Sequence, residues 1–394
     1  MPFISTLEYR IRVLTSAGEV LPADWNRLLQ AQARPTPFMR HEYLLALEAS
    51  GSATADTGWQ PAWLTLWDGP HLRAACALYL KTHSYGEYVF DWSWADAYRR
   101  HGLPYYPKAL GAVPFTPVPG SRLLAENDTW RARLVDALAR FTRETGLSSA
   151  HVLFIDEADR AAFERAGWMI RQGVQFHWQQ DEADPVTDFT GLLQRMQRDK
   201  RKKIQQERRR VAEAGVSFGV HEGEAIDPGL WDFFHHCYTL TYRAHHSTPY
   251  LTRDFFARMA ATMPQHWLMF VARRGSTSAA PLAASLIAID RARGAAWGRY
   301  WGATEFVPCL HFEACYYRPL AWCLANGFTR FEGGAQGEHK MARGLLPVQT
   351  SSAHWLRDER FAAAVADFLA AESAGVDDYV DELRERNPFR EAPG

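Results

Sequence analysis

Apolar and polar positions along the chain fall into two similar successions. Residues 62–80, AWLTLWDGPHLRAACALYL, set β-rich apolar runs on both sides of an Asp-Gly turn and predict strand, turn, strand. Residues 267–290, WLMFVARRGSTSAAPLAASLIAID, repeat that design with Gly275 and its neighbours at the turn. After the first hairpin, 127–146 keeps helical periodicity up to Gly146 and leads into the apolar strand HVLFI. After the second, 310–326 reads as a helix ending at Gly327, followed by FTRFEGG. Strand-strand-helix-strand thus appears twice, about two hundred residues apart, as in a divergent internal repeat.

Each half then predicts a mixed α/β layer with helices packed on a sheet. The chain has 394 residues, beyond the size at which single cores usually stop growing, so two domains are expected. The acidic, proline-containing stretch 181–190, DEADPVTDFT, places the boundary, giving domains 1–183 and 184–394. The opening MPFISTLEYRIRVL reads as a first strand and lacks the features of a signal peptide. The tail from 358 is helical and fits as a cap on either half.

Composition excludes some functions. Hydrophobic residues make up 47% and aromatics 13%, enough for a substantial core and unlike a disordered chain. Fifteen tryptophans are many, and some are expected to line a groove. A net charge of −1 is silent on a polyanionic partner. No apolar run approaches the ~18–20 residues needed to cross a bilayer. Five cysteines without a CxxC pair read as reduced thiols of a cytoplasmic protein.

Charge is concentrated in one place. Residues 192–211, LLQRMQRDKRKKIQQERRRV, hold nine Lys/Arg against Asp199 and Glu207. Leu192, Leu193, Met196, Ile204 and Val211 keep an apolar stripe, so the segment predicts a docked helix with a cationic face. A solvated surface helix explains such a run equally well. The rest of the chain is acidic, however, and the local excess suits a polyanion held by Arg201, Lys202, Arg208 and Arg209.

Metal and nucleophile motifs give little. His235, His236, Cys237, His245 and His246 lie close together, but HExxH is absent. Pro308-Cys309 precedes His311-Phe312-Glu313, the reverse of a zinc deaminase order. No bound metal or cofactor is expected. GxSxG, P-loop and GxGxxG motifs are also missing. What stands out is FEGGAQGEHKMARGLLPVQTSSAHW, residues 331–355, with Gly333, Gly334, Gly337, Glu332, Glu338, His339 and Lys340 and few core-building residues. Its glycines let a backbone approach a ligand closely.

The basic run followed by Gly and a strand resembles the opening of the second domain in Fem-type aminoacyl transferases. YWGATEFVPCLHFEACYYRPLAWCLANGFTRFEGGAQGEHKMARGLLP resembles that domain's end. SYGEYVFDWSWADAYRRHGLPYYPKALGAVPFTPVPGSRLL (84–124), together with FEGGAQGEHK, is similar to the FemAB-like "peptidoglycan biosynthesis/recognition" family of N-acyltransferases, over nearly the whole chain. The resemblance implies two GNAT-like domains in tandem and transfer of an aminoacyl or acyl group to an amine. It implies aminoacyl-tRNA or acyl-CoA as donor, and as acceptor an amine-bearing molecule of the cell-wall-precursor kind or a small molecule. Residues 302–314, GATEFVPCLHFEA, stand where GNAT enzymes hold the pyrophosphate of CoA and lack the glycine pair and arginine, which favours tRNA.

N-acylation needs a neutral amine, donors for the developing oxyanion and a stabilised leaving group. Glu332, Glu338 and His339 are candidate bases or acceptor anchors, and the family pattern implies Lys340 as the charge stabiliser. Tyr300 is a further catalytic candidate. His311 joins Gly333, Gly334 and Gly337 on the donor side, Trp301 and Glu313 the acceptor side. Asp91, Trp92, Trp94, Tyr105, Tyr106 and Lys108 form a second polar-aromatic cluster suited to a sugar, base or peptide stem. The resemblance assigns that cluster to the acceptor groove. A non-catalytic module that holds RNA or a cell-wall precursor is the rival reading.

Overall fold

Trp63–Asp68 and His71–Cys76 pair antiparallel across the Asp-Gly turn in a computed structural model that describes residues 9–276, 278–334 and 337–390. The opening stretch contributes Arg10–Leu14, antiparallel to Trp63–Asp68; residues 1–8 of that predicted strand lie outside the described residues. The helix Asp128–Glu144 starts where the Asn127 side chain accepts from Trp130 N and buries Leu134, Val135 and Leu138. Gly146, at φ +73°, follows its end and turns the chain into Ser149–Ile155, every residue of which is buried.

The second succession is built the same way. Trp267–Arg274 pairs antiparallel with Pro281–Asp290, a helical stretch runs from Leu310 to Ala325, and Gly327 (φ +70°) leads into Arg330–Glu332. The repeat also contains a third strand that the sequence pattern does not announce. Lys108–Gly111 in the first copy and Ala295–Ala303 in the second each precede the helix and pair in parallel with the strand after it.

Two compact units result: Met1–Gly173 with Thr350–Asp377, and Val174–Gln349 with Asp378–Gly394. This corrects the single boundary expected at 183/184. The chain passes out of the first unit about ten residues earlier, and its C-terminal part returns there because Ser351–Leu356 pairs antiparallel with Ser149–Ile155. In the second unit the matching place beside Arg330–Glu332 is taken by His177–Gln179. The helical tail is one helix, Glu359–Glu385: Val365 and Leu369 pack in the first unit, Leu383 in the second. The first core sets Leu134 and Leu138 against Leu64, Leu66, Ala150 and Val152; the second sets Leu192, Ile204 and Leu320 against Leu268, Ile287 and Phe331.

The helix Pro228–Ala244 lies on the strand Ala295–Ala303 at Gly302. A Cβ there would stand 2.1 Å from the carbonyl oxygen of Cys237. Backbone cannot yield as a side chain does, so Gly302→Ala is expected to destabilise by about 1–3 kcal/mol or more in urea denaturation. Gly375→Ala, in the Glu359–Glu385 helix with open space around it, is expected to be neutral or to stabilise by up to about 1 kcal/mol.

Candidate functional site

In the second unit the parallel pairing of Ala295–Ala303 with Arg330–Glu332 extends over three residue pairs, Ala295 with Arg330 to Trp297 with Glu332. Beyond it a cavity of about 210 Å³ opens between Gly298–Trp301 on one side and Gly333–Gly334 on the other, closed by Ser285, His311 and Tyr316. A bulge helps to form it: Leu286 pairs with Tyr300 and Ile287 with Gly298, so Arg299 is an extra residue in the ladder. Glycine suits the second of these walls. Gly334 sits at φ +83°, and a Cβ on Gly333 would meet Leu345 at 2.5 Å. Ala335 and Gln336 lie outside the described residues.

Lys340 reaches this wall. Its Nζ donates to the Gly334 carbonyl at 2.9 Å, and the side chain is only 4% exposed. Among the described residues no carboxylate lies within ion-pair distance of it. Burial pushes its pKa down to about 8, which leaves the ammonium form dominant at neutral pH. His339 is exposed, and its Nε2 stands 3.2 Å from the Tyr316 hydroxyl, which joins it to a cavity-lining residue. Burial, Arg343 and Lys340 together lower its pKa, so the ring is a neutral base near pH 7. His311, pushed to about 4 by burial, is neutral as well.

Other predicted residues point elsewhere. The Glu338 carboxylate accepts from Tyr379 Oη at 2.7 Å and from Arg386 at 3.1 Å, away from the cavity. Glu313 is buried between Arg208 Nε at 3.1 Å and Arg318 Nε at 2.7 Å, so it is a structural anion rather than an acceptor anchor. Arg208 is correspondingly committed and leaves the expected polyanion-binding set. Glu332 is 2% exposed, with Arg330 Nε at 3.3 Å and His177 Nε2 at 3.8 Å. Tyr300 and Trp301 line the cavity; Arg299, Tyr316 and Ser285, which the sequence did not single out, line it too. Among the described residues no group of three His, Cys, Asp or Glu is arranged to hold a metal ion.

The basic segment is two helices, Phe189–Arg195 and Arg198–Glu213, because Met196 and Gln197 turn extended. The predicted apolar stripe is buried: Leu192, Leu193, Met196, Ile204 and Val211. Glu207 on the inner face accepts from Arg343 at 3.1 Å and from the Tyr317 hydroxyl, tying the second helix to the Lys340 segment. Lys202 and Arg209 are exposed, with Arg198, Lys203 and Arg210 beside them; Arg201 is half-buried.

The polar-aromatic cluster of the first unit is mostly interior. Lys108 Nζ is fully buried and donates to Glu87 at 2.8 Å, Asp91 at 2.5 Å and Ser84 Oγ at 2.9 Å. Tyr105 Oη lies 2.5 Å from Asp91, and His151 stands 3.1 Å beyond. Trp94 is buried on His354. Burial pushes Asp91 upward, but Lys108 and His151 outweigh it and hold the carboxyl low; Glu87 is pushed up to about 7. These groups cannot touch an acceptor directly, which corrects that part of the assignment for Asp91, Lys108 and Trp94. Trp92, Tyr105 and Tyr106 do line an open concavity of about 760 Å³, with Arg99 and Leu103.

The sequence profile of the FemAB-like family, described as peptidoglycan biosynthesis/recognition, matches residues 16–391. No curated protein matches in sequence. Among solved structures, the C-terminal domain (DUF2156) of a putative lysylphosphatidylglycerol synthetase from Agrobacterium fabrum is 11% identical, with a TM-score of 0.54 over 90% of this chain and 97% of that one. L-PGS from Bacillus licheniformis is 11% identical, with a TM-score of 0.53 over 86% and 93%. FemX is 9% identical, with a TM-score of 0.54 over 88% and 98%. At such identities the likeness is one of fold, a mixed α/β architecture built twice along the chain. Among the described residues no helix is long and apolar enough to cross a membrane.

The two buried lysines differ in their surroundings, and substitution exposes the difference. Lys108→Met leaves Glu87 and Asp91 buried without their cation and is expected to cost about 3–5 kcal/mol in chemical denaturation. Lys340→Met strands no carboxylate among the described residues, only the Gly334 carbonyl. It removes an ammonium whose burial is unfavourable below about pH 8, so the variant is expected to lose far less stability at pH 7 than Lys108→Met.

Proposed function

The chain belongs to the FemAB-like family, and from that premise we propose that it is an N-acyltransferase of Fem type, acting in the cytoplasm on an amine-bearing acceptor of the cell-wall-precursor kind. The observation that carries the reading is Lys340: a buried ammonium without a carboxylate partner among the described residues, donating to the Gly334 carbonyl at the edge of the splayed-strand cavity. In the reaction the acceptor amine attacks the donor carbonyl carbon. A C–N bond forms, the carbonyl oxygen takes up negative charge, and as it collapses the ester C–O or thioester C–S bond breaks, the leaving hydroxyl or thiol receiving the proton given up by the amine. Lys340 faces the developing oxyanion. His339, neutral and linked to Tyr316, takes the proton that the attacking nitrogen sheds. Glu338 has no part in this step.

The exposed face of the Arg198–Glu213 helix favours aminoacyl-tRNA as donor. Lys202, Lys203, Arg209 and Arg210 project from a helix held in place by its buried Ile204 and Glu207. Changing these four cations to glutamine is expected to weaken tRNA binding and flatten its salt dependence, measured by filter binding between 50 and 200 mM salt. Salt-independent or absent tRNA binding by the parent protein would move acyl-CoA ahead.

Turnover tests the site itself. Lys340→Met is expected to lower it on the order of 10²–10³-fold while the fold survives, by the scale of a lost oxyanion donor. The pKa of Lys340 is depressed to about 8, so the cation is present below that pH and lost above it. The parent rate is therefore expected to fall as pH rises through about 8, and Lys340→Met to lack that limb. Near-normal turnover of Lys340→Met would remove the lysine from the chemistry.

A further inference from the structure

Among the described residues the charged groups at the second-unit cavity are of one sign. Arg299 stands in its wall, and the Lys340 ammonium lies against its Gly334 edge. No carboxylate lines it among the described residues. The acids nearest in sequence are engaged elsewhere: Glu313 with Arg208 and Arg318, Glu338 with Tyr379 and Arg386, Glu332 with Arg330. His311, with its pKa near 4, contributes a neutral ring.

Arg299 owes its place to the register of the sheet. As the extra residue between Gly298 and Tyr300 it leaves the in-out alternation of the strand, and a bulge of this kind re-aims a side chain. Its guanidinium donates to the Tyr300 hydroxyl at 2.9 Å and lies 4.8 Å from that ring's centre. A cation braced in this way belongs to the wall. The volume, about 210 Å³, is below that of pockets for drug-sized ligands and suits a compact group.

Resting on the acyl-transfer reading, we propose that this cavity selects a compact acyl group whose side chain is neutral or anionic and rejects one with a cationic side chain, with Arg299 as the specificity-determining residue. A lysyl side chain entering the cavity brings its ammonium within several ångström of the guanidinium, and no carboxylate among the described lining residues offers it a counter-charge. For like charges about 5 Å apart at an intermediate effective dielectric, the discrimination is on the order of 10²-fold.

The test is equilibrium binding to the full-length protein of two probe series. One is 3′-amino-3′-deoxyadenosine carrying alanyl, glutamyl or lysyl through a stable amide; the other is acetyl-, succinyl- and β-alanyl-coenzyme A. In the series that binds, the cationic member is expected to bind at least about 10-fold more weakly than the neutral one. Arg299→Lys should keep that gap and Arg299→Gln should narrow it, with circular dichroism verifying that both variants fold. Equal or tighter binding of the lysyl or β-alanyl probe overturns the inference, as does a gap that Arg299→Gln leaves unchanged. Failure of every probe in both series overturns the acyl-transfer reading itself, and the selectivity with it.

Discussion

The parting of two parallel strands is the constraint on which the second unit's cavity depends. Ala295–Ala303 and Arg330–Glu332 stay together for three residue pairs and then separate. Backbone groups freed in this way need new partners, because a buried carbonyl without one is costly. At Gly334 the partner is the Lys340 ammonium. One hydrogen bond thus serves two ends: it satisfies a carbonyl released from the ladder and fixes a cation beside the opening. The bulge at Arg299 and the space-limited Gly333 belong to the same local geometry.

Burial alone does not mark a lysine as functional. Lys108 is as buried as any group in the chain, yet Glu87, Asp91 and Ser84 surround its ammonium, and its pKa is raised because those anions outweigh the desolvation. It organises the first unit's interior. Among the described residues Lys340 has no such anion; burial lowers its pKa, and its ammonium lies against the Gly334 carbonyl at the cavity's edge. An uncompensated charge at a cavity is unfavourable for folding, and proteins retain such groups where a reaction needs them.

Much of this was legible in the sequence. The hairpins follow from alternation around turn signals, the helices end where Gly146 and Gly327 allow positive φ, and the buried stripe of the basic segment follows from its spacing. The glycine-and-lysine segment was recognisable because such residues cannot build a core. Other features depend on register and on long-range pairing, which a linear pattern does not carry. AAWGRYWGA conceals a strand because two glycines and a bulge break its alternation. The return of Ser351–Leu356 to the first unit is set by a partner two hundred residues away. Glu338 and Glu313 looked like site carboxylates; Arg386 and Arg208, distant in sequence, claim them, with Arg318 on Glu313's own helical stretch.

The central claim is that the donor carbonyl lies between Gly298–Arg299 and Gly333–Gly334 with Lys340 beside it. A crystal structure of the full-length protein with a non-hydrolysable donor analogue tests it most directly. The account predicts electron density for the acyl group in the second-unit cavity, with its carbonyl oxygen within about 3.5 Å of Lys340 Nζ. Density for the acyl group anywhere else, such as the Trp92–Tyr106 concavity, with the Lys340 cavity unoccupied, would contradict it.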